Sequence, residues 1–328
     1  DIFNCDILII DSRSVGNLDD KSKLIEFLNK NKNKKIKYIF ADTADNSGQI
    51  KVDFLKITDL YWKGQILKEK KEYMNSHYGG RYFTNYYNKK YSIKDSNEQF
   101  SEPIKEKKLL KKIKVCWNMG LCDHGSYSHI KQKLFSIFKS RFLISNTSNF
   151  NEFINLNKSI KKNSEHKKKY NLSCRIGVKY DRETVEFQRN KIKNTLEKYT
   201  SINKIPRYKY LNEMRNAKCV VSPFGWGELC PRDFETFLCG AILIKPDMSY
   251  FETWPNWYLS NKNGKFQKTY LPFKWDFSNL KYQIDFVLDK YQEQKKIALE
   301  GQKIYENYTV GVSSKHIFAK RFLELIKG

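Results

Sequence analysis

Asp6-Ile7-Leu8-Ile9-Ile10-Asp11 is a nearly unbroken apolar run closed by acids at both ends, and Lys37-Tyr38-Ile39-Phe40-Ala41-Asp42 is a second run of the same kind. Short Ile-rich runs without alternation fit strands buried on both faces of a parallel sheet. Ser22 to Asn29, between them, has helical spacing, so the first forty residues predict one β-α-β unit. Lys112 to Asn118 predicts a third strand and residues 130–142 a helix. The tyrosine-rich stretch Tyr61–Tyr91, with Gly79-Gly80-Arg81-Tyr82-Phe83 inside it, has no clean period and predicts loops and short helices along a cleft.

Residues 155–170 are polar, Lys-rich and weakly periodic, and the domain boundary is placed there, giving 1–160 and 161–328. Beyond it, Leu172–Val178 predicts a strand, and Asp181 is positioned to cap a helix carrying Val185, Gln188 and Ile192 through Leu196. Tyr210–Ala217 predicts a short helix, while Cys219–Ser222 and Ala241–Ile244 predict strands. Ser314–Ile326 predicts an amphipathic helix with Ile317, Phe318, Phe322 and Leu325 on one stripe, able to pack back on the N-terminal domain. Alternating strands and helices in both halves point to an α/β protein of two Rossmann-like domains facing a cleft. Ligands of open α/β sheets sit at the carboxyl ends of strands, so the loops Asp11-Arg13 and Asp42–Gly48 are expected to form site walls. Plain capping by Asp and Ser accounts for the same residues equally well.

Length and composition fit that layout. The 328 residues suit two domains, and 40% hydrophobic with 15% aromatic content is enough for each to have its own core. No stretch approaches the apolar length of a transmembrane helix, and no secretory leader is visible, which points to the cytoplasm. The chain opens on Asp1 rather than Met, leaving room for sequence upstream. Seven cysteines without CxxC spacing read as reduced core residues, not as a disulfide or zinc framework.

The net charge is +25. The excess is mostly Lys beside abundant Asn and Ile, a pattern of compositional bias. On top of it lies surface charge suited to peripheral contact with an anionic membrane. Val221–Ser260 runs the other way, with five acids against two bases. A phosphate-backbone binder is not expected to place an acidic island in its most distinctive stretch, so no nucleic-acid partner is expected and the island is expected to be a site.

Ser222-Pro223-Phe224-Gly225-Trp226-Gly227-Glu228-Leu229-Cys230-Pro231-Arg232-Asp233-Phe234-Glu235 reads as strand, glycine loop and helix in order. Gly225 and Gly227 permit a tight turn and close backbone approach by a ligand. Pro231 suits the first turn of a helix, whose free N–H groups and positive dipole end favour phosphate. Arg232 and Glu235 lie one turn apart, an Arg for phosphate and a Glu able to grip two ribose hydroxyls; a surface ion pair is the plainer explanation of the same two residues.

From Ser222 to Asp247 the stretch resembles the nucleotide-sugar-binding motif of GT-B glycosyltransferases, in an exostosin-like form related to the group 1 pattern: a serine-proline-glycine loop, Arg-x-x-Glu, then Gly240-Ala241 before a hydrophobic strand. The resemblance implies a nucleotide-sugar donor between the domains and an acceptor facing the N-terminal one. Glu235 would hold the ribose, and Gly225, Trp226 and Gly227 would approach the donor phosphates and sugar. Phe251–Pro255 also fits the family's pattern, without an assigned role. Glu228 departs from it, because negative charge in that loop repels a diphosphate. It would instead bind sugar hydroxyls, or the donor would carry one phosphate, as a CMP-sugar does.

Arg175, Lys179 and Lys245 are candidate phosphate clamps. For an inverting transfer the candidate bases are Asp45, Asp123 and His124. For a retaining double displacement, Asp233 is the candidate nucleophile. Each has a capping or surface role as its alternative. No Asp-x-Asp triplet occurs, so neither a metal nor another cofactor is expected, with Asp42 and Asp45 as a conceivable pair on an ion.

The expectation is a cytoplasmic, metal-independent glycosyltransferase acting on a glycan or lipid-linked acceptor in surface polysaccharide or glycoconjugate synthesis. The alternatives are a retaining, Kdo-like CMP-sugar transferase using Asp233, and, from another class, a basic nucleic-acid-binding protein using residues 61–115. The base, sugar, acceptor, stereochemistry and oligomeric state are not readable from the sequence.

Overall fold

A computed structural model describes residues 4–16, 21–33, 35–97, 99–125, 167–260 and 267–328. The predicted helix at 130–142 and most of the 155–170 boundary lie outside them.

Strands β1 (Ile7–Asp11), β2 (Lys37–Asp42), β3 (Leu60–Lys63) and β5 (Ile113–Val115) form one parallel sheet in that order. Strands β6 (Tyr170–Ser173), β7 (Ala217–Val221), β8 (Ile242–Pro246) and β10 (Tyr270–Phe273) form a second. The buried runs Tyr38–Asp42 and Ile242–Pro246 are near-continuously apolar because helices cover both faces. The α/β layout with two Rossmann-like sheets is the one expected, although β6 stops at Ser173 instead of continuing to Val178.

Strand β3 corrects the reading of the tyrosine-rich stretch. Leu60-Tyr61-Trp62-Lys63 is fully buried, its lysine included, and lies inside the first sheet. Lys63 can occupy that place because its ammonium meets the Asp42 carboxylate at 2.7 Å.

The C-terminal half has a core of its own around Leu172, Ile244 and Ile284, but the main cluster is shared by the two halves. Strand β4 (Gln65–Leu67) pairs antiparallel with β9 (Phe251–Thr253) of the other half. Phe83 stacks on Phe224 at 4.6 Å between centroids, and one continuous hydrophobic cluster runs from Val15 to Tyr305. Helix Tyr82–Tyr91 sets Tyr87 and Tyr91 against Phe187 of helix Glu183–Leu196. Asp181 does not cap the latter. Its start is held across the halves by Asp95, whose two carboxylate oxygens accept from Thr184 N at 2.7 Å and Thr184 Oγ1 at 2.8 Å.

The last helix, Gly311–Lys327, lies against the first sheet. Phe322 meets Trp62 and Trp117, Leu325 is buried beside Ile39 and Leu60, and Lys37 Nζ donates to the Ile326 carbonyl at 2.6 Å. No helix among the described residues is long and apolar enough to cross a membrane. The seven cysteines are unbridged, and Cys116, Cys174, Cys219 and Cys239 are buried.

Candidate active site

The carboxyl ends of both sheets open on hollows. On the N-terminal side, a hollow of about 340 Å³ is lined by residues that follow the strands directly: Asp11, Arg13, Thr43, Asp45, Trp117 and Asn118. The Asp11 carboxylate caps the turn behind it, accepting from Arg13 N and Ser14 N at 3.1 Å each. Asp45 is exposed at the lip, while its carbonyl accepts from Gln65 Nε2 at 2.7 Å.

Asp42 is absent from this wall. It is buried under Lys63 and the Tyr61 hydroxyl, which donates at 2.7 Å. Burial pushes the Asp42 carboxyl up, but the Lys63 charge outweighs it and holds the group below its ordinary value. It is therefore no partner for Asp45 on an ion. Among the described residues no group of three or more His, Cys, Asp or Glu side chains is placed to hold a metal.

Asp123 and His124 do not line the hollow either. Asp123 accepts from Gly125 N at 2.7 Å, closing a tight turn. His124 is buried, its ring stacked on Phe234 at 5.2 Å and its Nε2 at 2.9 Å from the Met119 carbonyl, to which it donates. Burial pulls its pKa below the ordinary histidine value, so at neutral pH the imidazole is uncharged and interior rather than a base on the cleft wall.

On the C-terminal side, helix Pro231–Cys239 starts at a hollow of about 430 Å³ with five basic side chains on its wall: Arg175, Arg189, Lys204, Arg207 and Arg232. Glu235 is the acid among them. Its Oε1 accepts from Arg207 Nη1 at 2.8 Å and its Oε2 from the Tyr210 hydroxyl at 2.9 Å. Arg207 also reaches across the cleft, donating through Nη2 to the carbonyls of His124 at 3.2 Å and Gly125 at 3.4 Å. Leu229 lines the first hollow and Cys230 the second, so the two adjoin along that one segment.

The predicted clamps divide. Arg232 lines the hollow and donates to the Arg175 carbonyl at 3.1 Å. The Arg175 guanidinium is clasped by Glu213, with Nη2 to Oε2 at 2.6 Å. Lys179 sits at a neighbouring hollow with Lys193 and Lys204. Lys245 is no clamp: it is fully buried, with Nζ 2.9 Å from Asp233 Oδ2.

Asp233 is likewise interior and fully buried. Oδ1 accepts from Ser222 Oγ at 2.5 Å, and Oδ2 accepts from the Tyr258 hydroxyl at 2.5 Å and from Cys230 N at 3.2 Å. This is a helix cap with a buried counter-ion, and Asp233 lines none of the hollows formed by the described residues, so a nucleophilic role is withdrawn.

The glycine loop is turned toward the other half of the protein. A β-carbon on Gly227 would meet the Asp45 carbonyl oxygen at 1.8 Å, so its close approach is to the N-terminal main chain. Gly225 has open space, with Cys230 Sγ nearest at 3.9 Å. Trp226 is half exposed under the Arg182 guanidinium at 4.2 Å, and its carbonyl accepts from Arg81 Nε. Glu228 is fully buried and accepts from Ser47 Oγ at 2.5 Å, Gln65 Nε2 at 3.0 Å and Tyr82 N at 3.1 Å. It therefore ties the halves together, and it lines none of the hollows formed by the described residues. With Glu228, Asp233 and Lys245 inside, the acidic island is largely interior. Phe251–Thr253 is strand β9, followed by a cis Trp254–Pro255 peptide.

Arg207, Arg189, Lys204 and Tyr210 were not singled out from the sequence. The one available signal was Pro206-Arg207 at a helix start, the pattern noticed at Pro231-Arg232.

No family model matches the chain, and no curated protein matches it. Among solved structures, an alpha-glucosyltransferase in complex with UDP and a 13-mer DNA containing an HMU base aligns at 10% identity and a TM-score of 0.39, over 100% of this chain and 81% of that one. The Anabaena protein HepE in complex with UDP aligns at 12% identity and 0.39, over 92% of this chain and 81% of that one. Likeness at this level carries no argument about ligand or reaction.

Proposed function

We propose that the chain is a glycosyltransferase that takes a nucleoside-diphosphate sugar in the basic C-terminal hollow and passes the sugar to a hydroxyl of a glycan or lipid-linked acceptor in the N-terminal one. The observation that carries this reading is the meeting of Glu235, Arg207 and Arg232 at the start of helix Pro231–Cys239, beside the hollow that Asp45 borders. The helix start and the arginines supply positive charge where a departing diphosphate gains negative charge. Glu235 supplies two acceptor oxygens for ribose hydroxyls once Arg207 and Tyr210 share them.

Asp45 is the base in this scheme. It takes the proton of the acceptor hydroxyl as that oxygen bonds to the anomeric carbon and the bond to the phosphate oxygen breaks, with inversion. A diphosphate is favoured over the single phosphate of a CMP-sugar, because five basic side chains surround the hollow and Glu228, the charge that argued for one phosphate, lies elsewhere. The chain's own residues account for these steps without a metal.

Thermal shift with UDP, GDP, CMP and a short oligonucleotide tests the assignment. A diphosphate nucleotide is expected to raise the melting temperature most, and Glu235→Ala to reduce the rise. Stabilisation by the oligonucleotide alone would overturn the reading in favour of nucleic-acid binding.

A further inference from the structure

The largest hollow described, about 780 Å³, has no part in that scheme. It lies at the carboxyl ends of β8 and β10, where Asp247 and Lys274 follow the strands, and Tyr82, Tyr86 and Lys89 of helix Tyr82–Tyr91 form its other wall. The loop carrying Phe224 and Glu228 separates it from the donor hollow: Phe224 meets Trp275 at 5.6 Å, and Glu228 accepts from Tyr82 N.

Trp275 forms the floor and is almost completely buried. Tyr82, Tyr86 and Tyr250 surround it at centroid distances of 6.0, 5.4 and 4.9 Å, with interplanar angles of 79°, 85° and 51°. Rings crossed in this way leave no row of parallel open faces, which a stack of nucleobases requires. Among them Tyr250 is the open ring, 48% exposed. A single open ring matches the C–H face of one pyranose, whose positive hydrogens suit the negative ring face. Asn279 and Gln283 line the same hollow; the Asn279 Oδ1 accepts from Lys274 N at 2.7 Å, which leaves its NH2 and the Gln283 amide as the polar groups for hydroxyls.

The spare charge is positive. Asp276 is paired with Lys90 at 3.3 Å, and Asp247, whose carboxylate accepts from Ser249 N at 2.9 Å, leaves one anion on the wall against Lys89 and Lys274. Lys89 and Lys274 are exposed and have no ion-pair partner among the described residues. A mixed wall of aromatic, amide and cationic groups is the common chemistry of a small concave ligand site.

We propose that this hollow is a second binding site, specific for an acidic oligosaccharide, with one sugar ring on Tyr250, hydroxyls at Asn279 and Gln283, and carboxylates on Lys89 and Lys274. It requires no sugar transfer and stands apart from the donor assignment.

Calorimetry on the full chain tests it, with hexasaccharides of hyaluronan and polygalacturonate, neutral maltohexaose and a short oligothymidylate as probes. At least one acidic hexasaccharide is expected to bind. Tyr250→Ala and Lys274→Glu should each weaken it by about tenfold while leaving UDP binding unchanged, and Glu235→Ala should leave it intact. Failure of both acidic probes, equal binding of maltohexaose, binding of oligothymidylate in their place, or indifference to both variants would each overturn the proposal. Loss of UDP binding alone would touch only the donor assignment.

Discussion

Gly227 and Asp45 touch main chain to main chain across the two halves: the α-carbon of Gly227 leaves so little room that a β-carbon would stand 1.8 Å from the Asp45 carbonyl oxygen. The partner atom is backbone, so no side-chain rotation relieves the clash. Gly227→Ala is expected to cost about 1–3 kcal/mol, the range for overpacking an interior. Gly225→Ala, two residues away in open space, is expected to stay within about 0.5 kcal/mol of the native protein. Denaturant unfolding of the two variants side by side measures the difference, and equal stability would contradict the seam.

Arg207 and Glu235 are the next pair to separate. Under the donor assignment, Glu235→Ala and Arg207→Ala should each weaken UDP binding by about one to two powers of ten, the value of a lost charge-assisted hydrogen bond. The Arg207 side chain is one-third exposed but that of Glu235 only 7%, so the melting temperature of each variant is measured beside its affinity to separate lost binding from lost stability. Calorimetric affinities unchanged in both variants would remove the site.

Asp233→Asn distinguishes a cap from a nucleophile. Removing the carboxylate leaves the Lys245 ammonium buried without its counter-charge, so a loss of about 3–5 kcal/mol is expected. Adding Lys245→Met should restore much of it, because the second substitution removes the stranded charge. Chemical denaturation of the single and double variants reads this out, and a sugar adduct on Asp233 found by intact mass spectrometry would contradict the interior placement.

Glu228 makes the seam sensitive to pH. Burial raises its pKa above the ordinary glutamate value, despite donors from Ser47 and the Tyr82 main chain that lower it. A raised folded-state pKa means proton-linked stability that is full below the unfolded value and lost as pH rises through the folded one. Glu228→Gln cannot take up that proton. Its stability deficit relative to the native protein is therefore expected to grow as pH falls from 7 toward 4.5, measured as the difference between two melting curves at each pH. A deficit independent of pH would mean that Glu228 does not titrate in the seam.

How much of this was legible varies with how local the physics is. The runs Lys37–Asp42 and Ile242–Pro246 declare themselves, because a strand buried on both faces leaves an unbroken apolar signature. Ile7–Asp11 carries the same signature but is the edge strand of its sheet, with Ile9 40% exposed. Leu60–Lys63 does not, because its lysine is interior only through an Asp42 that lies in another strand. The helix start at Pro231 and the placement of Arg232 and Glu235 at one hollow follow from chemistry within a single turn.

The glycine loop was legible as a tight turn, but its neighbour was not, since Asp45 arrives from residues far away in the chain. The same holds for the Asp95 cap on Thr184, the burial of Asp233 and Glu228, and the reach of Arg207 to His124. The sequence by itself determined which segments are strands and helices where their hydrophobic pattern is continuous, and that a phosphate-friendly helix start follows a glycine loop. Only the tertiary structure decided which charges face the cleft and which are sealed inside. A carboxylate's role depends on whether a counter-charge and hydrogen-bond donors from distant segments enclose it, and nothing in its local spacing records that.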